Sequence, residues 1–140
     1  MAHFLVVTNL YPPDARGGYE MACADVVRRW QAAGHAVTVL SGSGGDLPLT
    51  SLHEPPLSRW ARIQAERRAN QRLRAALAQA PDVVSVWNMA GLPLSLLTTL
   101  AESGLPVVYV LADAWPVRSP ASDAWLARWR RLPPLAARLA

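Results

Sequence analysis

Four short runs of consecutive apolar residues constrain this chain more than any other feature. They are Phe4-Leu5-Val6-Val7-Thr8, Val37-Thr38-Val39-Leu40, Val83-Val84-Ser85-Val86 and Val107-Val108-Tyr109-Val110-Leu111. A strand with one wet face alternates apolar and polar residues. A strand covered on both faces reads as an unbroken run, and that pattern belongs to parallel sheets. The segments between the runs have helical character. Ala22, Val26, Trp30 and Ala33 recur at helical spacing before a stop at Gly34, and Trp60, Ile63, Leu73 and Leu77 mark one face of a long helix from Arg59 to Ala80. Pro93 opens a shorter helix through Glu102, with Gly104 as its stop.

The resulting βαβαβαβ alternation predicts a Rossmann-like open parallel sheet, strand order 2-1-3-4, with helices on both faces and right-handed crossovers. Ligands of such sheets bind beyond the carboxyl ends of the strands where the order reverses. Here that crevice lies between the first and third strands, after Asn9 and Trp87. Gly42 to Pro56, rich in Gly, Ser and Pro, is expected to be a surface loop. After Asp113 the pattern weakens. Ser122-Asp123 is a candidate cap for a helix carrying Trp125, Leu126 and Trp129, and no fifth strand is evident. The fourth strand is therefore a candidate open edge, through which a homodimer could form.

Composition removes several chemistries. All 14 basic residues are Arg, so no phosphate-binding P-loop lysine and no lysine Schiff base can exist. The 140 residues suit one domain, and an apolar fraction of 51% supplies material for a core. The formal charge of +4 favours polyanionic partners. Cys23 stands alone inside a helical apolar pattern and is expected to be a buried, reduced thiol. His3, His35 and His53 lack metal-ligand spacing, so no metal and no organic cofactor is predicted, and His35 is expected to pack at the entry of the second strand. The apolar start is too short for a signal peptide and no run approaches a membrane span, which together predict a cytoplasmic location.

The turn Tyr11-Pro12-Pro13-Asp14-Ala15-Arg16-Gly17-Gly18-Tyr19-Glu20 joins the first strand to the first helix. Adjacent glycines let backbone approach a ligand, and a helix N-terminus offers free amides and a positive dipole end to a phosphate. A plain tight turn explains the glycines equally well. The dinucleotide pattern Gly-x-Gly-x-x-Gly is absent, and the second strand ends in Leu40-Ser41-Gly42 without the ribose-binding acid.

The ordered set Val6-Val7-Thr8-Asn9, Tyr11-Pro12-Pro13, Gly17-Gly18, Ala33-Gly34-His35-Ala36-Val37-Thr38-Val39, Asp82-Val83-Val84, Trp87-Asn88 and Gly104-Leu105-Pro106-Val107-Val108-Tyr109 resembles the opening of the GT-B glycosyltransferases of the retaining group-4 type. The likeness runs from Phe4 to Pro116. It implies a two-domain enzyme, with this chain as the N-terminal, acceptor-side half and a separate C-terminal half, absent from this sequence, holding a nucleotide-diphosphate-sugar donor. The reaction implied is hexosyl transfer to a sugar or lipid-linked acceptor, and the isolated half is expected to be inactive. The resemblance places Gly17 and Gly18 near the donor phosphates when the cleft closes. Many relatives read His-Asp after the fourth strand, where this chain reads Ala112-Asp113.

Each candidate site residue has a structural reading beside the functional one. Asp113 can accept hydrogen bonds from sugar hydroxyls as the candidate catalytic residue, or cap a helix. Asn88 can bond a substrate hydroxyl or form a turn. Glu20 can act in the site or complement the helix dipole. Arg16 can pair with phosphate or remain solvated. The arginines at 59, 62, 67, 68, 72 and 74 form either a solvated face or a peripheral contact with anionic lipid. Nucleic acid is not predicted as a partner, because interleaved aromatics and a helix-turn-helix signature are lacking. A non-enzymatic nucleotide- or partner-binding module that lost its donor half is the competing class.

Overall fold

A computed structural model describes residues 1–15, 17–42, 58–123, 126, 130 and 131. The elements follow the order β1 (His3–Thr8), α1 (Gly18–Ala32), β2 (Ala36–Ser41), α2 (Arg59–Leu77), β3 (Val83–Val86), α3 (Ser95–Glu102), β4 (Val107–Tyr109) and α4 (Trp115–Ser122). The sheet order is β2-β1-β3-β4 and all three pairings are parallel, as the apolar runs predict. In register, Val6 pairs with Val39 and Ser85, which puts β1 at the centre.

Side chains alternate across the sheet and feed two cores. Leu5, Val7, Val84 and Val86 face α2 and α3, where Leu73, Leu96 and Leu100 complete a fully buried cluster. Val6 faces the other way, onto Cys23 and Val27 of α1 and onto Trp87. At the opposite end of the sheet Trp30 stacks on Phe4 with ring centroids 4.4 Å apart, and His35 meets Phe4 edge-on at the entry of β2. Gly34 and Gly104 adopt φ of 84° and 69°, left-handed values that suit the glycines ending α1 and α3.

The helices are where expected and their inward faces are met in part, since Val26 and Trp30 of α1 and Leu73 and Leu77 of α2 pack on the cores. α1 buries Glu20, Cys23, Ala24 and Val27, whereas Ala22 and Ala33 are exposed. Apolar residues at 22, 23, 24, 26 and 27 wrap so much of the helix that periodicity alone does not select the inward side. α2 departs from expectation at Trp60. Its buried stripe is Ala65, Ala69, Leu73 and Ala76, and Trp60 is 73% exposed. Three alanines let the helix lie close to the sheet, a solution that favours small side chains over the large ones that usually signal a core.

β4 is shorter than the apolar run suggests, although the Val110 amide still donates to the Val86 carbonyl at 2.8 Å. Val108 and Tyr109 are 52% and 44% exposed along this edge. The helix α4 is not foreseen by sequence reading, because Pro116 and Pro120 fall within its eight residues. Pro116 sits in the first turn, where a missing amide costs nothing. Beyond it the Asp123 carboxylate accepts from the Leu126 amide at 2.8 Å. Arg16, the loop over residues 43–57, Trp125 and Trp129 lie outside the described residues. Among the described residues no helix is long and apolar enough to cross a membrane.

Candidate functional site

The crevice forms where β1 and β3 end side by side. Pairing continues one residue past β1, since the Asn9 amide donates to the Asn88 carbonyl at 2.8 Å and the Trp87 amide donates to Val7 at 2.9 Å. Both asparagines are buried and each turns its own chain out of the sheet. Asn9 Oδ1 accepts from the Leu10 amide at 2.7 Å, and Asn88 Oδ1 accepts from the Ala90 amide at 2.9 Å. The Asn88 oxygen is thus committed to the turn. Its amide nitrogen makes no hydrogen bond among the described residues and is the group left to meet a ligand.

On one side of this divide the chain passes through Tyr11–Asp14, closed by the Asp14 amide donating to the Tyr11 carbonyl at 3.1 Å, and enters α1 through the glycines. Gly17 is the N-cap, in extended conformation with φ −161° and ψ −177°. Having no side chain, it cannot cap the helix, so the amides of Gly18, Tyr19 and Glu20 have no intrahelical partner. A Cβ on Gly18 would meet nothing within 4 Å, whereas one on Gly17 would lie 3.3 Å from Glu20 Oε2. Gly18 is therefore not a glycine for lack of room inside the domain.

Glu20 folds back over Gly17 and is only 6% exposed. Its carboxylate lies in the first turn, where the helix dipole favours it. Burial pushes the Cys23 thiol one turn further along up to about 12, with the Glu20 charge adding to the shift. A thiol so placed stays protonated at neutral pH and packs as a small apolar group. Burial likewise raises the Tyr11 hydroxyl, reinforced by Cys23 and opposed by Arg28.

Tyr19 ties the site together. Its hydroxyl reaches from the first turn of α1 across the ends of β3 and β4. It is within hydrogen-bond reach of the carbonyls of Trp87, at 3.0 Å, and of Val110, and it accepts from the Ala112 amide at 3.0 Å. The ring packs edge-on to Trp87 with centroids 6.1 Å apart. Sequence reasoning missed this residue. Aromatics follow turns in many proteins, and only the fold brings position 19 to positions 87, 110 and 112. Tyr19→Phe is expected to lower stability by about 0.5 to 1.5 kcal/mol, because it removes the hydroxyl that bonds the part-buried Trp87 carbonyl and the Ala112 amide. Chemical denaturation measures this, and an unchanged midpoint would show that water replaces the hydroxyl.

Asp113 lies where β4 hands over to α4, adjoining the Tyr19 bridge. Its Oδ1 accepts from the Trp115 amide at 3.0 Å, and its Oδ2 accepts from Arg118 Nη2 at 2.7 Å. The first contact closes an Asx-turn just before α4, whose N-cap is Ala114, and both oxygens are engaged. The structure thus gathers Gly17, Gly18, Glu20 and Asn88 around the end of the sheet and places Asp113 next door, its oxygens held by Trp115 and Arg118. Asn9 was legible only as the end of a strand, although an asparagine closing both the first and third strands was the available signal. The indole nitrogens of Trp87 and Trp115, which end β3 and begin α4, are buried with no partner among the described residues.

An open parallel sheet in this order, with helices around it and a first helix that begins on uncapped glycines at the switch point, is a domain of Rossmann type. More narrowly, residues 16–140 match Glycosyltransferase Family 4, and the chain belongs to that family as its N-terminal domain. No curated protein and no solved structure matches the chain.

Proposed function

We propose that this domain forms the acceptor-side wall of a sugar-transfer cleft and presents its glycine turn to a nucleotide-diphosphate-sugar donor held by a second α/β half. The observation that carries this reading is the open space over Gly18 beside unpartnered helix amides. In the transfer, the bond from the sugar's anomeric carbon to the diphosphate breaks and a bond to an acceptor hydroxyl forms. The hydroxyl proton leaves and negative charge collects on the departing diphosphate. The amides of Gly18 and Tyr19 and the positive end of α1 offset that charge. The Asn88 amide nitrogen serves a hydroxyl of the acceptor or donor, and Arg16 serves a phosphate. The acceptor is a sugar or lipid-linked sugar, and the transferred group is a hexose.

The test is transfer of labelled hexose from nucleotide-diphosphate donors, measured with the domain joined to its donor-binding half. Product accumulating in proportion to donor and acceptor is the expected result. Donor binding without transfer or hydrolysis would instead identify a nucleotide-binding module.

A further inference from the structure

We propose that Tyr19 is a positioning residue, whose hydroxyl fixes the ligand-facing turn of α1 against the ends of β3 and β4. The turn has little else to hold it. Its N-cap, Gly17, supplies no side-chain bond, and the helix opens on Gly18, beside which a Cβ would find no neighbour within 4 Å. The first hydrogen bond of the helix, from the Met21 amide to the Gly17 carbonyl, is 3.4 Å long, against an ordinary length of about 2.9 to 3.0 Å. Two glycines in sequence also have the most backbone freedom to lose. A first turn of that composition frays unless a side chain anchors it from outside.

Tyr19 supplies the anchor. Its hydroxyl lies 3.0 Å from the Trp87 carbonyl and within reach of the Val110 carbonyl, and it accepts from the Ala112 amide at 3.0 Å. All three partners are main-chain groups, and the strand ends that carry them are themselves held. The Trp87 amide donates to Val7 at 2.9 Å and the Val110 amide to Val86 at 2.8 Å. The ring packs against both hydrophobic cores. One residue therefore carries an amide without an intrahelical partner at the crevice and a side chain whose far end is fixed to the sheet. Trp87 is followed by Asn88, so the same contact sets the α1 amides relative to the Asn88 amide nitrogen, the other group left to meet a ligand. The catalytic consequence rests on the sugar-transfer reading. Donors aimed at charge developing on a departing diphosphate work only if their geometry is set in advance, so loosening the turn lowers kcat and leaves KM nearly unchanged.

Amide hydrogen exchange on the intact chain tests the anchoring without any need for transfer. In Tyr19→Phe the amides of Met21 and Ala22 are expected to exchange at least about tenfold faster, a larger rise than at Val26 and Val27 further along the same helix. An equal rise throughout α1 would mean that the hydroxyl contributes only general stability, and would overturn the proposal. With the domain joined to its donor-binding half, Tyr19→Phe is expected to lower kcat about tenfold and to change KM for the donor less than about threefold. In a Gly18→Val background, where the amides are already screened, the same substitution is expected to cost less than about threefold. A loss carried by KM, or an equal loss in both backgrounds, would remove Tyr19 from the positioning role. A parent protein that transfers no sugar overturns the sugar-transfer reading instead, and exchange alone then decides the anchor.

Discussion

Gly18→Val is expected to lower sugar transfer by at least about a hundredfold while moving the melting temperature by no more than about 2 °C. The two halves of this expectation have separate physical origins. Inside the domain the new side chain meets nothing, since a Cβ at this position has no neighbour within 4 Å. Valine also replaces the residue with the poorest helix propensity short of proline, so the backbone loses nothing by the change. Toward the crevice, three added carbons occupy the space through which a diphosphate would reach the amides of Gly18 and Tyr19. Losing one aimed donor at a developing negative charge is worth about two to three powers of ten in rate. Gly17→Ala is the contrasting variant. Its methyl would stand 3.3 Å from Glu20 Oε2, so the buried carboxylate must shift and a small stability cost should appear. Transfer measured alongside melting separates the outcomes, and undiminished transfer by a folded Gly18→Val protein would remove this turn from the site.

Leu73→Ala is expected to destabilise the domain by about 2 to 5 kcal/mol, a fall of roughly 10 °C in melting temperature. Leu73 is fully buried and is the one large side chain on the buried stripe of α2, whose other members are Ala65, Ala69 and Ala76. Alanines hold the helix close to the sheet but bury little area, so most of the apolar contact of that stripe depends on Leu73. Its removal leaves a cavity among Leu5, Val84, Leu96 and Leu100 that a close-packed helix and sheet cannot collapse to fill. Trp60→Ala removes a larger side chain from the same helix, and its expected cost is within about 0.5 kcal/mol because the ring is solvent-exposed. Thermal melts of the two variants check the assignment of the inward face. Equal destabilisation would mean that Trp60 packs on the core.

The sheet was legible because an unbroken apolar run is a local signature with a global cause: both faces of such a strand must be covered. The order β2-β1-β3-β4 followed from chain alternation and handed crossovers, which leave few arrangements open. The helix faces were less legible. In α1 the apolar residues cover too wide an arc, and in α2 the packing residues are alanines, whose small size is informative only when the sheet is beside them. α4 was hidden because a proline in the first turn of a helix reads, out of context, as a breaker.

At the site the same division holds. The glycine pair, Glu20 and Asn88 were visible as residue types at the ends of strands and the start of a helix. Asp113 was visible too, but the partners of its oxygens, Trp115 and Arg118, are set by the turn after β4. By itself the sequence determined an α/β chain whose Lys and Arg positions are all arginine, with its crevice at the first and third strands, since periodicity, composition and crossover handedness are properties of the chain. Only the tertiary structure decided that Tyr19 bridges positions 87, 110 and 112, that Gly18 borders open space, and that Trp60 faces outward. Those are distances between residues remote in sequence, or the absence of neighbours, and neither is written in local pattern.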